Sequence, residues 1–192
     1  MKRDVISPSS FNSSFLSCEK DIETILRKLF IEMGEYSKTL TRLLVINTED
    51  CLEKNGEVVG NILKTMNLKK LIEDGYIRLV PKLKLGEHEE VKSYIVISCD
   101  NFTTNDTNPQ FRDCTVMFDI ICHTDQWYLG DYRVRPLKIA GYIDGILNEA
   151  KLSGIGTFNF LGCNELILDE NLSGYTLAYR AVHGSDDRIP PQ

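Results

Sequence analysis

No apolar run in this 192-residue sequence approaches the roughly 18 residues that a membrane-spanning helix requires. The first residues, Met1-Lys2-Arg3-Asp4, carry two basic side chains, but Ser7 to Ser14 is mostly small and polar. The apolar core of a secretory signal is therefore missing, and the chain is expected to work in the compartment where it is made. Cysteine pairs are missing too. Six cysteines stand at positions 18, 51, 99, 114, 122 and 163 without a CxxC spacing or a cluster. Cys99, Cys114, Cys122 and Cys163 fall in or beside apolar strand-like runs, where a reduced thiol acts as a small buried hydrophobe. Free structural thiols are expected rather than a disulfide framework. The Asn-x-Ser/Thr sequons at Asn12, Asn101, Asn105 and Asn171 carry no meaning without a secretory route.

Catalytic constellations are equally scarce. Cys122-His123 puts a thiol beside an imidazole in sequence, but neighbours on a strand point to opposite faces and cannot act on each other. His183, Asp186 and Asp187 share a Gly-Ser tail without a further ligand at a metal-binding spacing. Gly130-Asp131 and Gly154-Ile155-Gly156 are glycine turns, and neither opens a helix with the spacing that aims several amides at one phosphate. His88, between Gly86-Glu87 and Glu89-Glu90, reads as a charged loop. No catalytic residue, cofactor or metal is expected, and the chain reads as a non-enzyme.

The net charge is −6, and its surplus lies in one half. Residues 1–97 carry 15 basic and 15 acidic side chains, whereas 98–192 carry 7 basic and 13 acidic. An acidic half does not grip phosphates, although it suits a wall past which nucleic acid slides. The basic stretch from Lys64 to Lys84 reads as the solvated face of a helix and an edge strand.

Residues 1–16, rich in Ser, Asn and Pro, read as an N-terminal arm, 17–184 as one domain, and 185–192 as a polar tail. A helix is expected over 18–33, with Ile22, Ile25, Leu26, Leu29, Phe30 and Met33 on one face and Gly34 as its stop. Leu40 to Ile46 is apolar and fits strand or helix, and 57–73 reads as a helix ended by Gly75. From Ile77 the chain alternates through Leu79, Leu83 and Leu85, with Pro81 marking an edge or bulged strand. Strands follow at Tyr94–Cys99 and Arg112–Thr124, separated by a polar loop over 101–110. A second helix runs from Pro136 to Ala150, and Thr157–Leu168 and Tyr175–His183 form a hairpin reversing at 169–174. Strands bunched on either side of one helix predict an α+β fold with an antiparallel or mixed sheet flanked by the N-terminal helix and the helix near 136–150.

The segment from Trp127 through Arg133, Pro136, Ile143-Asp144 and Ile146-Leu147-Asn148, with the closing strand Leu177-Ala178-Tyr179-Arg180-Ala181-Val182-His183, carries a resemblance. This strand–helix–hairpin order behind an N-terminal helix resembles the tail-terminator and tail-completion (head–tail joining) proteins of tailed bacteriophages. The likeness covers about 18–34 and 77–184, rests on element order rather than a diagnostic motif, and skips the helical region 38–75. That region departs from the compact family pattern, as an insertion would.

The resemblance implies a virion protein of the neck or tail, assembled in the bacterial cytoplasm. Its copies would form a ring, commonly a hexamer, that terminates the tail tube and meets the head–tail connector proteins. DNA would pass through the lumen without sequence-specific binding, and no membrane would be involved. The neighbouring alternatives are another neck, collar or stopper ring, and a cellular α+β interaction module. A closed ring needs heterologous contacts, for which arms, strand edges and loops are natural donors. The candidate contacts are the arm 1–16, the loop 101–110, the loop with Trp127 and Tyr132, and the hairpin with Asp169, Glu170 and Asn171. Arg133 and Arg135 are candidates to pair with acids of a neighbour, or to cap local carbonyls or face solvent.

Overall fold

The computed structural model describes residues 18–53, 57–79, 91–106, 112–152 and 156–183. The arm 1–16, the tail 185–192, and the expected strand positions Pro81, Leu83 and Leu85 lie outside the described residues. The elements, in chain order, are α1 (Cys18–Arg27), α2 (Glu35–Val45), α3 (Glu57–Thr65), α4 (Leu68–Glu73), β1 (Ile77–Arg78), β2 (Ser93–Thr104) and β3 (Arg112–His123). They continue with β4 (Tyr128–Leu129), β5 (Arg133–Val134), α5 (Arg135–Leu147), β6 (Lys151–Leu152), β7 (Gly156–Thr157), β8 (Asn159–Ile167) and β9 (Leu172–His183).

The α+β expectation is met by a mixed sheet of order β1-β2-β3-β9-β8. β1 runs parallel to β2, and the other neighbours pair antiparallel. Period-two alternation places Cys114, Val116, Phe118, Ile120 and Cys122 of β3 on the helix-covered face, where all are buried. Opposite them in α5, Ile139, Ala140, Ile143, Ile146 and Leu147 repeat at helical spacing and close the core. Each large side chain buried in this way contributes about 1.5–3 kcal/mol. On the other face a smaller cluster gathers Tyr94, Val96, Ile121 and Leu172.

Several boundaries move, each for a local reason. α1 continues into a π-helical turn over Lys28–Glu32 before Gly34, whose φ of +56° suits glycine, ends it. The apolar run 40–46 is helical, within α2. The helix expected over 57–73 is two helices, because the Asn67 side chain accepts the Lys70 N–H and starts α4 afresh. Part of the expected loop 101–110 is strand: β2 resumes after an irregularity between Asp100 and Thr103 and reaches Thr104.

The closing reversal is tighter than 169–174, since β9 already begins at Leu172. Gly174 serves the sheet rather than the turn. A Cβ there would stand 1.8 Å from the Ile120 carbonyl oxygen, so only glycine lets β9 approach β3 at this point.

The region 38–75 is part of the same core. Leu40, Leu43, Leu44, Cys51 and Leu71 pack with the sheet residues above. Among the described residues no helix is long and apolar enough to cross a membrane.

Candidate assembly surface

The centre of the candidate surface is a buried arginine. Arg135 opens α5 and is completely enclosed. Its Nε donates to the Gln126 carbonyl at 2.8 Å. Nη1 donates to the carbonyls of Leu43 at 2.7 Å and Ile46 at 3.1 Å, and Nη2 donates to Thr48 at 2.8 Å. Leu43 and Ile46 lie at the C-terminal end of α2, where unpaired carbonyls concentrate partial negative charge. The guanidinium thus neutralises a helix end and ties the 43–51 loop to the 126–135 ribbon. Of the three roles expected for Arg135, namely pairing with a neighbour's acids, capping local carbonyls and facing solvent, carbonyl capping is the one observed. A contact with a neighbouring subunit is excluded in this fold, because the side chain has no exposed surface.

Cys51 lies in the same enclosure, 3.7 Å from Nη1. Burial pushes its thiol pKa up, against the opposing pull of Arg135. Burial likewise raises Cys122, to about 11, so this thiol stays protonated at neutral pH. His123 is also buried, and its Nδ1 accepts the Asp125 N–H, which closes the turn after β3. Cys122 and His123 are thus both buried at the end of β3. Tyr179 donates its hydroxyl to Asp144 at 2.8 Å, and burial followed by that carboxylate drives its pKa upward.

Arg133 makes a second, outer tie. Its Nε donates to the Gly130 carbonyl at 2.8 Å, and its guanidinium pairs with Glu53 and with Asp131, the latter at 3.3 Å. The Gly130 N–H donates to the Glu49 carbonyl at 3.0 Å, so the ribbon is held on both strands. Trp127 is half-buried against the core, its carbonyl accepting the Arg135 N–H at 2.8 Å. It anchors the base of the ribbon.

What these ties display is the turn between β4 and β5. The Arg133 N–H points back to the Gly130 carbonyl at 3.4 Å, and both central residues are left-handed, with φ of +59° at Asp131 and +61° at Tyr132. Such a turn favours Asn-Gly, and a tyrosine there is strained. Tyr132 is nonetheless fully exposed, and Tyr128 beside it is mostly exposed. Tyr132 was expected at a contact. Tyr128 was not singled out, although its place on the exposed face of a two-residue strand follows from the same loop.

The hairpin between β8 and β9 is the second protrusion. Asp169 Oδ1 accepts the N–H groups of Asn171 and Leu172, both at 2.8 Å, and the Asn171 carbonyl accepts the Thr124 N–H at 2.8 Å. Asp169 and Asn171 thus build the turn, leaving Glu170 exposed at its tip. Ile167, 75% exposed, and Leu168 stand just before it. These two carry the apolar surface that the acidic residues alone did not announce.

A third feature was not legible in the sequence. Between the start of α2, with Met33 just before it, and α5 lies an open groove of about 530 Å3, lined by Met33, Tyr36, Leu137 and Tyr142. Gly141 and Gly145 form its floor, and a Cβ added at either would meet nothing within 4 Å. Lys138 sits at the rim, 5.6 Å from the centre of the Tyr142 ring. Only residues distant in sequence make this groove, so no local pattern points to it.

The surface offers aromatic and apolar protrusions rather than a pocket lined by perturbed acids. Among the described residues no group of three or more His, Cys, Asp or Glu side chains is placed to hold a metal ion. Asp186 and Asp187 lie outside the described residues.

No curated protein matches the sequence. A family model described as YomW matches residues 37–181, which takes in most of α2, the Arg135 enclosure, the ribbon and all of the sheet but the last two residues of β9. The chain belongs to the YomW family, a phage-derived family of Bacillus prophage proteins.

Proposed function

We propose that the protein is a non-enzymatic structural subunit of a phage particle, closing into a ring that terminates the tail tube and joins it to the head connector. The observation that carries this reading is Tyr132, a fully exposed aromatic held left-handed on a turn clamped by Arg133 and Arg135. A strained backbone persists only where its surroundings over-determine it, and such strain gathers at functional positions. Rigid, exposed tyrosines give large contact area at little entropic cost, which suits a protein partner.

The phage-derived family supports the particle context. The partners on this reading are further copies, as a six-membered closed ring, and the tail-tube and connector proteins; DNA passes through the lumen. The acidic second half of the chain would line that passage without holding phosphates.

The test is imaging of assembled particles carrying labelled protein, together with a Tyr132→Ala variant. Density at the head–tail junction, and unjoined heads and tails in the variant, are expected. Label absent from the junction, with heads and tails joined normally in a strain lacking the protein, overturns the reading.

A further inference from the structure

The groove and the hairpin tip are different surfaces of one subunit, and their properties are complementary. The groove is apolar, with an aromatic wall at Tyr36 and Tyr142 and a glycine floor that leaves space for incoming side chains. Its rim carries the cation Lys138. The tip presents two exposed aliphatic side chains, Ile167 and Leu168, followed by the exposed anion Glu170. Among the described residues neither Lys138 nor Glu170 joins an ion pair. The tip is also fixed beforehand, by the two hydrogen bonds to Asp169 and the tie from Thr124, so little order need be gained on docking.

We infer that the Ile167–Glu170 tip of one copy docks into the groove between the start of α2 and α5 of the next copy. Ile167 and Leu168 enter over Gly141 and Gly145, and Glu170 meets Lys138. Because the two surfaces differ, the contact is heterologous, and an open chain of subunits keeps one free tip at one end and one free groove at the other until the ring closes. This inference deepens the ring reading proposed above and rests on it.

Two surface variants of the full chain separate the halves of the contact. Ile167→Asp with Leu168→Asp breaks the tip, and Gly145→Trp fills the groove, where the space above the glycine accommodates a side chain without disturbing the subunit. Native mass spectrometry and light scattering read the mass, and circular dichroism verifies that each variant is folded. Wild-type protein is expected to form multimers, and each variant to self-associate at least tenfold more weakly. Mixing the two variants is expected to give a 1:1 heterodimer and nothing larger, since one intact tip and one intact groove remain. Lys138→Glu and Glu170→Lys are each expected to weaken association, and the double variant to restore it.

Folded variants that assemble as wild type does, a mixture that stays monomeric, or a wild-type chain that stays monomeric at high concentration overturns the inference. The ring reading fails separately, if the variants pair as expected but the protein is absent from the head–tail junction.

Discussion

Arg133 and Arg135 stand two residues apart in one polar loop, and sequence gives no ground for separating them. Both were candidates to meet a neighbour's acids. Tertiary structure separates them completely: Arg133 pairs locally with Glu53 and Asp131 near solvent, and Arg135 is sealed among carbonyls. Three of its four carbonyl acceptors come from residues 43–48, about ninety positions earlier, and no periodicity or motif encodes that meeting. Replacing Arg135 by Met leaves buried carbonyls unpaired, at about 1–3 kcal/mol each. Equilibrium urea unfolding is therefore expected to show a loss of at least ~3 kcal/mol for Arg135→Met, with Arg135→Lys recovering only part, because one ammonium cannot reach acceptors spread around a planar fork. Arg133→Met is expected to cost about 1 kcal/mol or less, as exposed ion pairs do.

Local signals served the regular elements well. The apolar stripe of α5, its early proline, the alternation of β3 and the glycine stop at Gly34 each express a short-range rule, and each element formed there, although α5 ends at Leu147 rather than Ala150. Irregular segments were harder, because their conformation answers to contacts elsewhere. The turn between β4 and β5 carries Asp131-Tyr132 where left-handed geometry favours Asn-Gly. Substituting Asn-Gly there is expected to raise stability by about 1 kcal/mol, by removing left-handed strain, while weakening assembly through loss of the exposed ring. Thermal melting and particle joining read the two effects; a variant that is no more stable and joins normally would remove the functional meaning from the strain.

The far end of the sheet has its own tie, with a definite pH signature. Asp113 on β3 accepts from the Asn105 side chain at 2.7 Å and pairs with Arg180 on β9, and these two, in that order, hold its carboxyl below the ordinary 3.8. A depressed carboxylate pKa stabilises the fold fully above the ordinary value, and the contribution is lost as pH falls through the lowered native value. Carboxyl NMR titration of Asp113 is expected to show the lowered midpoint, with Asn105→Ala moving it back toward 3.8.

At the scale of the whole molecule, the question is whether 38–75 is separable from the rest. Its sequence reads as extra helix beside a compact strand–helix–hairpin body, because amphipathic periodicity reveals an apolar face but not what covers it. In the fold, Leu40, Leu43, Leu44 and Leu71 pack into the same cluster as Phe118, Ile139 and Leu177. Removing four such side chains withdraws about 1.5–3 kcal/mol apiece, on the scale of the 5–15 kcal/mol that holds a domain folded. The deletion also takes away three of the four carbonyls that satisfy Arg135, leaving a buried guanidinium without its acceptors. A chain in which a short glycine linker replaces 38–75 is therefore expected to show no cooperative thermal transition and to bind a hydrophobic dye strongly. A sharp transition in that chain would mean that the sheet and α5 hold together without the segment, and that the Arg135 enclosure serves the displayed ribbon more than the fold.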